Sequence, residues 1–209
     1  MGEFWEQSFK ENQKMWGEEP VEVTMEVHSL FQENNFTNIL IPGFGYGRNA
    51  KIFIENGFDV TGIEISKTAI AIARDYIHGN FELHHGSVGQ MPFDNKFYQG
   101  IYCYALVHLL NNQARIKFIS DCYKQLQAGG IMVFVTLSTT DHRFGEGLQI
   151  SENTFQTKHG ISLCFDDAKK IEQEFGPYGL YEYVDKNEPS LKIYIQPSQK
   201  FWKISCRKS

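Results

Sequence analysis

The sequence predicts an α/β fold: a doubly wound, mainly parallel sheet, preceded by an N-terminal helical cap and finished by an antiparallel C-terminal strand. Three observations predict it. Up to about residue 135, short apolar runs alternate with segments whose apolar residues recur at helical spacing. A glycine-rich turn, Gly43-Phe-Gly45-Tyr-Gly47, directly follows the first buried-strand signal at Ile39–Ile41. Beyond residue 176 the strand-like pieces have connections too short for another βαβ crossover, which favours antiparallel pairing.

At 209 residues the chain is long enough for one α/β domain with a real core. Two helices are expected over 3–14 and 20–34, joined at Trp16-Gly17-Glu-Glu-Pro20, with Pro20 in the first turn of the second. The glycine loop should open a helix over about 47–56 that stops at Gly57, and Phe58–Glu64 alternates as the second strand. Ser66 is a natural N-cap for the helix carrying Ala69, Ile72, Ala73, Tyr76 and Ile77. Further strands are expected at Phe81–His85 and Gly100–Tyr104. Asn111 should cap a helix carrying Ile116, Ile119, Tyr123 and Leu126, ended by Gly129-Gly130. Ile131–Val135 is apolar without interruption, as in a strand covered on both faces. A polar stretch over 138–160 precedes a helix capped by Asp166 or Asp167 and stopped by Gly176-Pro177. Strand-like pieces follow at 180–184, 191–195 and 201–206. The chain thus divides into a helical cap (1–36), a cofactor-binding half (37–137) and a lid with the antiparallel sheet end (138–209), all within one domain.

Composition narrows the function classes. Hydrophobic residues make up 42% and charged residues 22%, as in an ordinary globular protein. A net charge of −5 with no Lys/Arg run argues against a phosphate-tracking nucleic-acid binder. The 4 cysteines form no C-x-x-C pair and fall mostly in apolar runs, which suits inert buried thiols. No secretory signal is visible at the N-terminus, and no apolar run reaches the roughly 18 residues of a membrane span. The expected location is cytoplasmic.

The chemistry concentrates around the glycine loop. Glycines at alternate positions let the backbone turn sharply and approach a ligand closely. Glu64, about 21 residues beyond Gly43, stands where a nucleoside-binding βαβ unit places its ribose contact. An ionised carboxylate there can accept from both ribose hydroxyls. Ile65 offers an apolar face to a base, and the loop amides favour an anionic group. Arg48 and Asn49 are placed either to assist that contact or to stand exposed in the first turn. A dinucleotide fingerprint wants a small residue where Arg48 stands, and no Gly-Lys-Ser/Thr follows for a Walker loop. His84-His85 point to opposite faces of a strand, so no metal is expected.

The Gly-x-Gly-x-Gly loop with Glu64 at the end of strand two resembles the class I S-adenosylmethionine-dependent methyltransferases. So do Ser87-Val88 after strand three, the stretch from Tyr98 through Tyr104-Ala105 to His108, and Leu126-Gln-Ala-Gly129-Gly130. Trp5, Phe9, Trp16-Gly17 and the Ile-Pro-Gly loop resemble the thiopurine and tellurite-resistance methyltransferases, whose N-terminal helical segment covers the cofactor. The resemblance implies a seven-stranded Rossmann-like sheet, S-adenosyl-L-methionine as cofactor and S-adenosyl-L-homocysteine as product. It implies cofactor contacts from Trp5, Trp16, Gly43, Gly45, Gly47, Arg48, Asn49, Glu64, Ile65, Ser66, Ser87, Val88, Tyr104 and Ala105. The sequence departs from the family pattern at Ile41, where an acid is usual, at Ser87, often Asp, and at Gln99, also commonly Asp.

Methyl transfer from a sulfonium is an in-line displacement that needs positioning and exclusion of water more than a base. No catalytic residue is assigned; Tyr104 and His108 are the candidates. Tyr104 stands to face the sulfonium as a cation–π partner or, like Tyr102, to pack in the core. Trp16 and the loop His142-Arg143-Phe144 are the expected acceptor contacts. The expected enzyme moves a methyl group to a small-molecule nucleophile, acting as a monomer or weak homodimer without nucleic acid or membrane. The alternatives are a protein or RNA methyltransferase and a non-catalytic protein that binds the same cofactor.

Overall fold

The computed structural model describes residues 2–189 and 198–209. Helices α1 (Gly2–Asn12) and α2 (Glu22–Glu33) come first. Strands β1 (Asn38–Pro42), β2 (Asp59–Glu64) and β3 (Phe81–His85) then alternate with α3 (Lys51–Glu55) and α4 (Lys67–Tyr76). β4 (Tyr98–Tyr104), α5 (Asn112–Gln125) and β5 (Leu126–Leu137) complete the parallel part. Three short strands follow, β6 (Leu148–Ser151), β7 (Thr154–Gln156) and β8 (Ser162–Cys164). The chain ends with α6 (Ala168–Phe175), β9 (Leu180–Glu188) and β10 (Gln199–Arg207).

The main sheet has 7 strands in the order β3-β2-β1-β4-β5-β10-β9. The first five are mutually parallel, and β10 runs antiparallel to both β5 and β9. The chain reverses direction across the sheet between β1 and β4, and a doubly wound sheet opens its ligand crevice at that point. Strand alternation sorts side chains between two cores. Ile39 and Ile41 join Tyr102, Val133 and Val135 beneath α2 and α3, while Leu40, Ile101, Cys103, Met132 and Phe134 pack under α5 and α6. Burial on both faces explains the uninterrupted apolar run in β5.

Three caps appear as the sequence predicts: Ser66 Oγ accepts from Ala69 N at 3.0 Å, Asn111 Oδ1 from Ala114 N at 2.9 Å and Asp167 Oδ1 from Lys170 N at 2.8 Å. Asp166 turns inward instead, to a buried ion pair with Arg115.

Several expectations need correcting. The helix expected over 47–56 begins only at Lys51, because Gly47 holds φ at 83°, which no helix tolerates, and residues 48–50 complete the turn. Pro20 precedes α2, whose N-cap is Val21. On α5 the buried face carries Arg115, Phe118, Ile119 and Cys122, leaving Ile116 exposed. That helix stops at Gln125, before the two glycines, which lie within β5. The polar stretch 138–160 contains β6 and β7, part of a small antiparallel sheet with β8. The strand expected at 191–195 lies outside the described residues. Among the described residues no helix is long and apolar enough to cross a membrane, and no group of three His, Cys, Asp or Glu side chains is placed to hold a metal ion.

Candidate functional site

The carboxyl ends of β1, β2 and β4 open into a cleft of about 1250 Å³. Its floor is the glycine loop. Gly43 N and Phe44 N both donate to Ile63 O, at 2.9 and 3.0 Å, which straps the loop to β2. Gly43 and Gly45 line the cleft. Gly47 lies behind it: a Cβ there would meet Ile77 Cδ1 at 2.2 Å and Phe44 Cε1 at 2.9 Å, so its lack of a side chain serves packing.

Glu64 ends β2 at 6% exposure and lines the cleft. Its Oε1 accepts from Ile65 N and Ser66 N, each at 2.8 Å, and its Oε2 from Gly45 N at 2.7 Å. Burial raises its pKa above the usual carboxylate value, while the three amide bonds pull the other way. A carboxylate offers roughly four lone-pair positions, so three are committed to backbone and about one remains for a ligand hydroxyl. Ile65, Ser87 and Val88 line the cleft beside it. Ser87 caps a short 3-10 turn, accepting from Gly89 N at 3.2 Å, which leaves its hydroxyl hydrogen free to donate. Ser66 is fully buried and lies off the cleft, where it caps α4.

The N-terminal segment closes one wall. Trp16 stacks on Tyr46 of the glycine loop, with ring centroids 6.2 Å apart and planes 12° from parallel, while Trp5 and Phe9 complete the aromatic group. Tyr46 donates its hydroxyl hydrogen to Gly17 O at 2.6 Å and accepts from Trp16 N at 3.2 Å. Glu6 latches α1 to α4, accepting from Ser66 Oγ at 2.7 Å and from Thr68 N and Oγ1 at 3.2 and 2.7 Å. The Ser66 and Thr68 bonds hold its carboxyl down at about 2. Arg48 and Asn49 line the cleft and also tie it together: Arg48 Nε donates to Glu19 O, and Asn49 Oδ1 accepts from Val21 N at 3.2 Å.

At the end of β4 both tyrosines border the cleft, but they differ in exposure. Tyr102 is wholly buried, its hydroxyl 2.8 Å from Thr24 Oγ1 of α2. Tyr104 lines the cleft beside Phe201, with ring centroids 5.8 Å apart, and burial pushes its hydroxyl pKa up. Ala105 also faces the cleft and holds φ at +53°, a conformation that alanine rarely adopts. His108 follows on a 3-10 turn at Val107–Leu109. Burial drives its pKa down to about 3, so the ring is neutral, and its Nδ1 lacks a partner.

The lid differs from the loop the sequence suggested. Arg143 lines the cleft but is paired with buried Asp141, at 2.7 and 3.2 Å. His142 lies beside the same aspartate, and Phe144 packs on Phe155 and Phe165; both are off the cleft. Thr157, His159, Ile161 and Leu163, from the β7–β8 hairpin and its flanks, line it instead, together with Glu188 and Phe201. No local pattern marks these residues. Phe201 reaches the site because the antiparallel register sets it opposite Leu137.

A family described as "Methyltransferase domain" matches residues 39–130. The matched stretch is similar to a methyltransferase domain over somewhat less than half of the chain. It holds the glycine loop, Glu64, Ser87 and the β4 end, whereas Trp16, Glu188 and Phe201 come from outside it. The sequence matches no curated protein. Among solved structures, the chain is similar to the 1,6-didemethyltoxoflavin-N1-methyltransferase of Burkholderia thailandensis, solved with bound 1,6-didemethyltoxoflavin and S-adenosylhomocysteine. The TM-score is 0.75 at 12% identity, over 100% of this chain and 87% of that one. A S-adenosylmethionine-dependent methyltransferase from Anabaena variabilis gives 0.72 at 17% identity, over 100% and 95%. TehB from Haemophilus influenzae gives 0.68 at 16%, over 88% of this chain and 62% of that one. At such identities the likeness establishes the methyltransferase fold.

Proposed function

We propose that the protein is an S-adenosylmethionine-dependent methyltransferase that transfers the methyl group to a small-molecule nucleophile. The observation that carries this is Glu64. It is a buried carboxylate at the end of β2, bonded to the glycine loop through Gly45 N and open to the same cleft as Ile65 and Ser87. In this reading Glu64 takes a ribose hydroxyl, Ile65 and Val88 flank the adenine, and Ser87 donates to it. Gly43 and Gly45 let the methionine end lie against the loop, and Trp5 and Trp16 cover it. Tyr104 and Ala105 stand at the sulfonium.

The reaction forms one bond, from the acceptor's lone pair to the methyl carbon, and breaks the opposite carbon–sulfur bond. The released pair returns to sulfur, giving S-adenosylhomocysteine, and any proton on the acceptor leaves to solvent. The chain's part is alignment and exclusion of water. In the same reading His108, neutral near pH 7 and with an unpartnered Nδ1, holds an acceptor group rather than carrying charge. Cytoplasmic location, the division into cap, cofactor half and lid, and a monomer or weak homodimer belong to the same reading.

Calorimetry with S-adenosylmethionine and S-adenosylhomocysteine tests the shared step. Micromolar binding of either is expected, and a folded protein that binds neither would refute the reading. Turnover of radiolabelled donor on thiol, amine and hydroxyl acceptors then separates the enzyme from a non-catalytic binder.

A further inference from the structure

The cleft is longer than the methyltransferase domain that founds it. Glu64 marks one end, on β2, and Glu188 marks the other, on β9 at the far edge of the sheet. Five strand spacings separate those strands, roughly 24 Å at about 4.8 Å each. A nucleoside cofactor seated between Glu64 and Tyr104 leaves the Glu188 end to the acceptor. The walls there are aromatic and acidic. Tyr104 and Phe201 present ring surface, with Glu188 and Glu22 alongside. The cleft's two arginines direct their hydrogen bonds away from Glu188, Arg48 to the Glu19 carbonyl and Arg143 to both oxygens of Asp141, although the Arg48 charge still reaches the Glu188 carboxylate. His108, more than nine-tenths buried and with an unpartnered ring nitrogen, adds a neutral polar group to the same wall.

We infer that the acceptor carries a cationic group, held by Glu188 against the Tyr104 and Phe201 rings, and that the atom methylated is a different one. This rests on the methyltransferase reading above. Carboxylates recognise ammonium and guanidinium groups by charge-assisted hydrogen bonds, and aromatic faces attract the same groups. An ammonium held in this way has no lone pair to attack a methyl carbon, so the nucleophile lies elsewhere on the molecule. The structure supplies a rigid mount: Glu188 Oε1 accepts from Val23 N at 3.1 Å, fixing the side chain to the first turn of α2. Burial and the neighbouring Glu22 raise the carboxyl's pKa against the pull of the Val23 amide and the Arg48 charge, a net electrostatic cost that a bound cation relieves.

The test uses three benzenethiols that differ only in the para substituent: aminomethyl, hydroxymethyl or carboxylate. Each is titrated into the full-length protein saturated with S-adenosylhomocysteine, so that binding is read whether or not sulfur is the methylated atom. The aminomethyl compound should bind about tenfold tighter than the hydroxymethyl compound, and the carboxylate most weakly. Glu188→Gln keeps an acceptor for Val23 N. It should erase the preference while leaving S-adenosylhomocysteine affinity within about twofold. Equal behaviour of the three compounds, tightest binding of the carboxylate, or a preference that survives Glu188→Gln would overturn the inference. Failure of S-adenosylhomocysteine itself to bind removes the methyltransferase reading, and this inference with it.

Discussion

Glu64 braces the glycine loop and, in the proposed function, also holds the cofactor, and the two roles can be separated by substitution. Glu64→Ala leaves the amides of Gly45, Ile65 and Ser66 without their acceptor. The unmet amides should lower the unfolding free energy by about 3 kcal/mol in urea titrations. Cofactor binding should disappear in calorimetry, whereas Glu64→Gln, which keeps an oxygen acceptor, should lose much less stability. His108 gives a pH signature. Its folded pKa of about 3 lies below the ordinary 6.5, so the unfolded chain takes up the proton first. Stability through this residue is whole above pH 6.5 and falls on acidification, at about 1.4 kcal/mol per pH unit, until about pH 3. His28, also buried with a lowered pKa, adds in the same direction. The contribution of His108 is therefore read from the flatter profile of His108→Asn. The glycine loop and Glu64 were legible in the sequence because each adjoins a strand signal, so neighbouring residues announce them. Glu188, Phe201 and His159 were not, since only long-range pairing of β5, β9 and β10 and the fold of the β7–β8 hairpin bring them to the cleft.

Among the elements, α1 is held by one carboxylate and an aromatic stack. The carboxyl of Glu6 is depressed to about 2 by its bonds to Ser66 and Thr68, against an ordinary 4.5. The latch is therefore intact above pH 4.5 and opens as pH falls towards 2. Fluorescence of Trp5 and Trp16 should report an acid transition in that window that Glu6→Gln lacks. Removing residues 1–18 takes away α1 and the Trp16–Tyr46 stack together, so the folded truncation should no longer bind cofactor in calorimetry. The alternating core of the chain, β1 to β5 with α4 and α5, could be read because apolar periodicity was forced by burial. β6 could not: all four of its residues are exposed, so no buried face imposed a pattern on Leu148–Ser151. α3 was overestimated at its start because the glycine loop was read as opening straight into the helix, whereas Gly47 holds a positive φ and the helix begins at Lys51.

At the scale of the molecule, Arg115 joins pieces that are distant in sequence. It is fully buried and bonds Asp166 at 3.0 and 3.1 Å, Glu174 at 2.6 Å and Val107 O at 3.2 Å. Thr136 Oγ1 and Trp202 Nε1 complete the cluster on Asp166, at 2.8 Å to its carboxylate and 2.9 Å to its carbonyl. Arg115→Ala leaves Asp166 and Glu174 with Lys170 as their remaining cation, at 3.2 and 3.8 Å, and should cost about 3 kcal/mol in chemical denaturation. The antiparallel strand has its own consequence, during synthesis rather than at equilibrium. β10 occupies an interior place in the sheet, between β5 and β9, although it follows every other strand in chain order. A nascent chain therefore exposes one side of β5, with its fully apolar run from Ile131 to Val135, as a naked edge. At roughly 5–20 residues per second the ribosome leaves that edge open for several seconds before its partner emerges. Until then neither Phe201 nor the Glu188 wall of the cleft is in place, so the growing polypeptide is open to mispairing and its cleft lacks one side.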